Sequence, residues 1–142
     1  MNRYVQLYLE KADENFKLYE FLNESEKFEA WQLTAIFYSA LCRVKAYLYN
    51  KGFPENSINS HECIKNLLSQ ETEAKRLGIF NFYERLYFDS RDARYSTKKI
   101  SKARINNAIT NYKEVKKVAF WFFNYDKIYE KYLFNNPSKP FP

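Results

Sequence analysis

Arginine and tyrosine side chains at helical spacing are the residues of this sequence best suited to binding chemistry. Tyr87, Arg91 and Arg94 follow one another at steps of four and three, so one face of a helix would carry all three. Arginine presents a planar fork of donors that matches phosphate oxygens, and aromatic neighbours can hold the guanidinium flat or stack on a base. The pattern therefore predicts a site for a phosphate-bearing ligand. The residues predicted to bind it are Tyr87, Arg91, Arg94, Tyr95, Lys98 and Lys99.

The same arginines also have a purely structural interpretation. Asp89 and Asp92 lie close to them in the sequence, and the N-terminal segment carries further acids. Ion pairs with these carboxylates would lock one end of a helical bundle and leave no cation free for a ligand. Structural ion pairs are common, so the residues alone favour this interpretation over binding.

Charge is distributed unevenly along the chain. The chain of 142 residues has a net charge of +6, yet residues 1–71 carry 8 basic and 10 acidic side chains, whereas residues 72–142 carry 15 basic and 7 acidic ones. Residues 91–117 hold nine basic and two acidic side chains. A one-sided positive field attracts RNA, nucleotides or acidic proteins. The alternative is a solvated, lysine-rich face without a specific partner, and charge alone slightly favours this alternative.

Few other chemistries fit the remaining polar residues. His61 is the only histidine, and its place at a predicted helix start leaves it open as a ligand, a catalytic base or a side chain near the cap. The adjacent residues His61, Glu62 and Cys63 cannot all face one ion on a helix, so no metal site is expected. The sequence contains no glycine-rich phosphate loop, dinucleotide-binding fingerprint or paired-histidine zinc motif. We therefore expect no cofactor.

Composition and periodicity predict an all-α fold. Two glycines and four prolines are too few for a many-stranded protein with frequent tight turns. Apolar residues recur every three or four positions, which predicts helices at residues 3–23, 26–50, 60–69, 72–94 and 102–123, and a short segment ending near residue 134. We expect one domain over residues 1–134, an antiparallel bundle of four to five helices with the second, mostly apolar helix at its centre. A proline-rich tail follows at 135–142.

Local capping signals predict where these helices begin and end. Ser25 is predicted to cap the second helix, Asn59 the third and Ser101 the fifth. Gly52 suits the left-handed position after the second helix. Gly78 lies inside the fourth predicted helix, where it costs about 1 kcal/mol relative to alanine. Either close packing requires a small residue at Gly78, or the helix begins after it.

Two features bear on the cellular compartment. Cys42 and Cys63 are the only cysteines, and the charged N-terminal segment does not look like a secretion signal. The longest apolar runs, such as residues 118–123, are far too short to span a bilayer. We therefore expect a cytoplasmic protein with no membrane partner.

Taken together, these segments resemble the HEPN family (higher eukaryote and prokaryote nucleotide-binding domain). The resemblance begins with the central helix and its core Ala-Ile-Phe-Tyr-Ser-Ala, followed by Gly52. It continues through Asn59-Ser60-His61 to a long helix that closes on Leu86 and then Arg91-x-x-Arg94-Tyr95. It covers about residues 5–122, nearly the whole predicted domain.

The resemblance implies a HEPN-like helical bundle that forms a homodimer and often works beside a minimal nucleotidyltransferase in a toxin–antitoxin or stress-response module. Active members of the family are metal-independent endoribonucleases that use an arginine and a histidine several residues later. Arg91 matches the arginine and is the one candidate catalytic residue. The histidine position falls among Tyr95, Ser96 and Thr97, where this sequence has none.

The missing histidine favours binding over cleavage. Removal of a ribose 2′-hydroxyl proton needs a base with a pKa near the working pH, and tyrosine, with an ordinary pKa of about 10, is a poor substitute. Helix lengths predict that His61 lies about 10 Å along the axis from Arg91 and does not replace it. We therefore expect a protein that binds nucleotide or RNA phosphate. The alternatives are a ribonuclease toxin with a divergent active site and a structural partner of a nucleotidyltransferase.

Overall fold

The computed structural model describes residues 3–122 together with Asn135 and Ser138, and for residues 118–122 it describes the backbone alone. Within this part of the chain there are six α-helices, a 3₁₀ turn at Glu55–Ser57 and no strand, so the all-α prediction is confirmed. The predicted segment ending near residue 134 and most of the predicted tail lie outside the described residues. The helices are α1 (Arg3–Glu24), α2 (Glu29–Asn50), α3 (His61–Gln70), α4 (Thr72–Arg76), α5 (Ile79–Tyr95) and α6 (Lys102–Phe122).

Helices α1 and α2 form an antiparallel hairpin. Tyr4, near the start of α1, stacks on Tyr49, near the end of α2, with ring centroids 5.7 Å apart. Midway along the pair, the Ser39 hydroxyl donates a 2.7 Å hydrogen bond to the carbonyl oxygen of Ala12. These contacts fix the register of two helices of equal length.

The turn between α1 and α2 does not use the predicted serine cap. Ser25 Oγ donates to the Leu22 carbonyl oxygen at 2.7 Å and accepts from the Lys27 amide at 3.3 Å. The hydroxyl therefore closes the end of α1. Helix α2 begins only at Glu29, after Phe28 has adopted a left-handed φ of 62°. The prediction that Ser25 caps the second helix is wrong because its side chain is already used by the preceding helix.

Helix α2 is the central helix, as predicted. It contacts α1, α5 and α6, and most of its side chains are buried. The buried Tyr112 hydroxyl of α6 lies 2.9 Å from Ser39 Oγ and accepts a 2.9 Å hydrogen bond from Arg43 Nε. Arg43 also pairs with Asp13 of α1 at 2.7 Å. Since buried polar groups are costly when unpaired, this network specifies how the three helices meet.

The single helix predicted over residues 72–94 is in fact two helices. Gly78 has a φ of 67° and separates α4 from α5, so the alternative that the helix begins after Gly78 is confirmed. A Cβ atom added at Gly78 would meet nothing within 4 Å. The glycine is therefore explained by its left-handed backbone and not by close packing.

Three other boundaries test the capping predictions. Helix α3 is capped by Ser60, whose Oγ accepts from the amide three residues further on at 3.1 Å, so the predicted cap at Asn59 is one residue too early. Gly52 has the expected left-handed φ, 96°. Ser101 Oγ accepts a 3.1 Å hydrogen bond at the start of α6, as predicted. The apolar side chains of α6 that recur every three or four residues, Ile105, Ala108, Tyr112 and Val115, are buried.

Candidate functional site

A cleft of about 450 Å³ opens between α2, α3 and α5. Among the described residues, three cationic side chains and no carboxylate line it, so its field favours an anion. Aromatic rings form much of the rest of the wall. The lining residues are Phe37, Tyr38, Leu41, Lys45, Asn59, Ser60, His61, Ile64, Tyr83, Tyr87, Arg91, Arg94 and Tyr95.

Arg91 is held in the cleft by aromatic rings. Its Nη1 donates a 3.3 Å hydrogen bond to the Tyr87 hydroxyl, one helical turn earlier. The guanidinium carbon lies 5.8 Å from the centre of the Tyr87 ring and 5.9 Å from that of Tyr95. Such contacts orient the guanidinium while most of its donors stay available to a ligand.

Arg94 is also oriented by tyrosines, one of which lies across the cleft on α2. Its Nη1 donates to the Tyr38 hydroxyl of α2 at 3.0 Å, and its Nε donates to the Ser90 carbonyl oxygen at 3.2 Å. The guanidinium carbon is 5.1 Å from the centre of the Tyr95 ring and 5.6 Å from that of Tyr38. Arg94 thus bridges α5 and α2 at the mouth of the cleft.

The neighbouring carboxylates belong to another arginine. Arg104 of α6 donates from Nε to Asp89 and from Nη2 to Asp92, both at 2.8 Å. Among the described residues, neither Arg91 nor Arg94 forms an ion pair. The structural interpretation drawn from the sequence is therefore wrong for these two arginines, and the partner of both carboxylates is Arg104, which sequence reasoning missed.

The two carboxylates respond differently to Arg104. Burial raises the pKa of Asp89 even though the guanidinium opposes the shift. In the more exposed Asp92, the hydrogen bond from Arg104 lowers the pKa. Both acids face α6 and away from the cleft, because they lie on a different side of α5 from Arg91.

His61 lines the cleft together with Arg91. Its ring stacks on Tyr87 with centroids 3.3 Å apart and an interplanar angle of 9°. The ring also stacks on Tyr83, in the middle of the helix predicted over residues 72–94, so His61 lies beside that middle as the helix lengths indicated. Further along α3, Lys65 pairs with Glu84 at 3.2 Å, so α3 packs beside the N-terminal half of α5. The axial separation of about 10 Å from Arg91 stays a prediction.

The surroundings of His61 keep its imidazole neutral. Its Nδ1 lies 3.0 Å from the hydroxyl of Tyr83, which is fully buried. Burial, followed by the nearby charge of Lys65, lowers the pKa of His61 below its ordinary value of 6.5. Burial raises the pKa of Tyr83, so that hydroxyl stays protonated. The cleft therefore contains a neutral base beside its cations.

Four of the six predicted ligand residues line the cleft: Tyr87, Arg91, Arg94 and Tyr95. The other two, Lys98 and Lys99, lie beyond the end of α5 and are not among the lining residues. Lys98 Nζ is 3.9 Å from Asp92, on the side of α5 that faces α6. Binding through these two lysines stays a prediction.

Sequence reasoning missed the wall that α2 contributes. Tyr38, Leu41 and Lys45 line the cleft and follow one another at steps of three and four, so a helical stripe ending in a lysine was the available signal. Lys45 Nζ lies 5.6 Å from the centre of the Tyr8 ring. In a central helix such a stripe is easily assigned to the core, and the cleft becomes visible only when α2 and α5 are placed side by side.

Comparisons with protein-family models, curated proteins and solved structures find no match. The HEPN resemblance therefore rests on the residues quoted for it. Among the described residues, no group of three or more histidine, cysteine, aspartate or glutamate side chains is placed to hold a metal ion. No helix in that part of the chain has both the length and the apolar character of a membrane span.

Proposed function

We propose that this protein binds RNA through the cleft, with backbone phosphate held between Arg91 and Arg94. One observation carries the proposal: within the part of the chain that the structure describes, no carboxylate lines the cleft, and tyrosines, not ion pairs, orient both guanidinium groups. A guanidinium already fixed in place loses little side-chain entropy when it binds a phosphate. Each charge-assisted contact should contribute about 1.5 kcal/mol.

The surroundings of Arg94 favour single-stranded RNA over a free nucleotide. A second hollow, of about 270 Å³, continues the path along α2 and α5, and Arg94 lines both. Trp31 lines this second hollow and is 62% exposed, while Tyr95 at the first is 74% exposed. Exposed rings beside cations are the usual means of stacking successive bases without reading their sequence. A mononucleotide would occupy only one of the two hollows.

Fluorescence anisotropy with a labelled single-stranded RNA tests the proposal. The Arg91→Ala, Arg94→Ala double variant should bind about a hundredfold more weakly than the wild type, since two charge-assisted contacts are lost. The matched control is Lys113→Ala, Lys116→Ala, which removes two exposed charges from α6 and should change the affinity less than about threefold. Equal losses in both variants would show non-specific attraction and overturn the proposal.

The length of the ligand tests the second hollow. For an RNA long enough to cross both hollows, Trp31→Ala should lower the binding affinity about tenfold, which is the contribution of one stacked base. The affinity for a mononucleotide should not change. If a mononucleotide binds as tightly as the longer RNA, the ligand is a nucleotide.

A second function, endoribonuclease activity, is favoured by the position of His61. In this proposal neutral His61 accepts the proton of a ribose 2′-hydroxyl, the 2′-oxygen attacks the adjacent phosphorus and the bond to the 5′-oxygen breaks. The leaving 5′-oxygen takes a proton from water, and the products carry a 2′,3′-cyclic phosphate and a 5′-hydroxyl. Arg91 and Arg94 would stabilise the charge that develops on the phosphate oxygens.

Cleavage in the presence of a chelator tests this activity. Wild-type protein should release fragments with 2′,3′-cyclic phosphate ends, at a rate that falls at acidic pH as His61 takes up a proton. His61→Ala should abolish cleavage but retain RNA binding. RNA left intact by concentrated wild-type protein would leave binding as the function.

The cellular setting is proposed from the family resemblance alone. A toxin–antitoxin or stress-response module would place a minimal nucleotidyltransferase beside this protein, in the cytoplasm, either as regulator or as structural partner. Co-purification with the product of an adjacent nucleotidyltransferase gene would support this setting. An adjacent gene of another class would count against it.

A further inference from the structure

The outer face of α1 carries an apolar stripe that the cleft does not use. Tyr4, Leu7, Leu18 and Phe21 on this face are 54%, 46%, 47% and 70% exposed. With the exposed Lys11 and Glu14 between them, they follow one another at steps of 3, 4, 3, 4 and 3. This spacing is that of the seam along which two helices pair. We call these six residues the α1 stripe.

The α1 stripe is symmetric about the middle of the helix. An axis that passes between Ala12 and Asp13 relates Tyr4 to Phe21, Leu7 to Leu18 and Lys11 to Glu14. If a second copy of α1 lies antiparallel about that axis, apolar residues meet apolar residues at both ends. Each lysine of the central layer then meets the glutamate of the other copy. A parallel pairing would instead set lysine against lysine and glutamate against glutamate.

Charged residues also recur every seven positions along one edge of the α1 stripe, at Arg3, Glu10, Lys17 and Glu24. In the antiparallel arrangement Arg3 of one copy approaches Glu24 of the other, and Glu10 approaches Lys17. All the charged pairs across the axis are therefore of opposite sign. Among the described residues, the salt bridges of the monomer involve none of these side chains: Arg3, Glu10, Lys11, Glu14, Lys17 and Glu24.

We propose that the α1 stripe is a homodimer interface in which two copies of α1 pack antiparallel about a two-fold axis. The occupant is a second copy because the face is complementary to itself in both apolar and charged residues. The central layer of lysine and glutamate contributes little net stability, but it fixes register and direction. Helix α1 supplies no lining residue to the cleft, so both clefts of the dimer stay open. The proposal does not depend on what the cleft binds.

Charge reversal in the central layer tests the interface. The molecular mass in solution is measured by sedimentation velocity across micromolar to submillimolar concentrations. Lys11→Glu alone and Glu14→Lys alone should each raise the dimer dissociation constant about tenfold or more, because like charges then meet twice across the axis. The double variant Lys11→Glu, Glu14→Lys should restore dimerisation, and so should mixing the two single variants. All these side chains are exposed, and helical content by circular dichroism confirms that each variant folds.

Glu20→Lys is the matched control, because it reverses an exposed charge of α1 outside the stripe and should leave the dimer intact. Recovery in both the double variant and the mixture would establish the antiparallel register. A wild-type protein that stays monomeric throughout would overturn the proposal. A dimer that neither Lys11→Glu nor Glu14→Lys weakens would also overturn it. A dimer that is lost only in the Arg91→Ala, Arg94→Ala variant would belong to the cleft and would overturn it too.

Discussion

The two sides of the C-terminal half of α5 carry the same kind of side chain and use it differently. On the side facing α6, Arg104 pairs with two carboxylates, Asp89 and Asp92, each at 2.8 Å. On the side facing α2 and α3, Arg91 and Arg94 contact tyrosines and line a cleft to which no described residue contributes a carboxylate. One side is a closed ion-pair network, and the other is a cationic surface with unused donors.

The comparison shows that one side depends on the other. Asp89 and Asp92 are the only acids close to the two cleft arginines in sequence, and either could have neutralised them. Because Arg104 binds both carboxylates, the positive charge of Arg91 and Arg94 is left facing the cleft. Helix α6 thus contributes to the electrostatics of a cleft that it does not line.

The largest expected effect is the loss of stability on removing Arg104. Arg104→Ala leaves the largely buried Asp89 carboxylate without its partner, and it should lower the free energy of unfolding by about 2 kcal/mol. Urea denaturation measures this change. The Arg91→Ala, Arg94→Ala variant should unfold at nearly the wild-type urea concentration, since those arginines satisfy no carboxylate. If both variants lose the same free energy of unfolding, the arginines on the two sides of α5 contribute equally to stability and the comparison is wrong.

A charge-conserving substitution at Arg94 separates the contribution of the guanidinium's planar donors to RNA binding from the contribution of its charge. Arg94→Lys keeps the positive charge but loses the planar, two-point contact, so we expect RNA affinity to fall about tenfold in anisotropy measurements. The control is Lys113→Arg on α6, which replaces a lysine by an arginine away from the cleft and should leave the RNA affinity unchanged. Wild-type affinity in Arg94→Lys would mean that the charge alone matters at this position.

The tyrosine that orients Arg94 should have a smaller effect. Tyr38→Phe removes the 3.0 Å hydrogen bond to the guanidinium and keeps the ring beneath it. RNA affinity should fall about threefold, because only the positioning of Arg94 is lost. Tyr19→Phe, a similar substitution on α1 away from the cleft, is the control. A larger loss would indicate that the Tyr38 hydroxyl contacts the RNA itself.

The smallest expected effect is a difference in how groups on the two sides of α5 make the free energy of unfolding depend on pH. The folded-state pKa of His61 is lowered, mainly by burial, so the unfolded chain binds the proton more readily and stability falls as the pH drops below about 6.5. Asp92 has a lowered pKa through its hydrogen bond with Arg104, so its contribution is present above about 3.8 and is lost only in stronger acid. Urea denaturation of wild type and His61→Asn between about pH 5 and pH 8 measures the first effect. Identical pH profiles for the two proteins would contradict it.

Local signals in the sequence predicted most of the fold. The apolar periodicity of α2 and α6, the Ser101 cap and the left-handed Gly52 all depend on neighbouring residues, and all were predicted correctly. The start of α2 was missed because Phe28, a residue that seldom adopts a positive φ, does so here. Ser25 offered a stronger cap signal but served the preceding helix.

The candidate site could be predicted only in part. Spacing on one helix identified Tyr87, Arg91 and Arg94 as one face of α5, and the structure places all three in the cleft. The partner of Asp89 and Asp92 could not be chosen from sequence, since Arg104 reaches them only after α6 packs against α5. The stacking of His61 on Tyr87 could not be predicted for the same reason, because it depends on how α3 is placed. Contacts between helices set these details, and single-helix periodicity does not contain them.

The salt dependence of RNA binding tests most directly whether Arg91 and Arg94 hold phosphate. For a single-stranded ligand the slope of log affinity against log salt concentration falls by about 0.7 for each phosphate contact removed. The Arg91→Ala, Arg94→Ala variant should therefore have a slope about 1.4 smaller than the wild type, and the Lys113→Ala, Lys116→Ala variant should keep nearly the wild-type slope. An unchanged slope in the Arg91→Ala, Arg94→Ala variant, or an equal decrease in the Lys113→Ala, Lys116→Ala variant, would contradict the claim that the two cleft arginines hold phosphate.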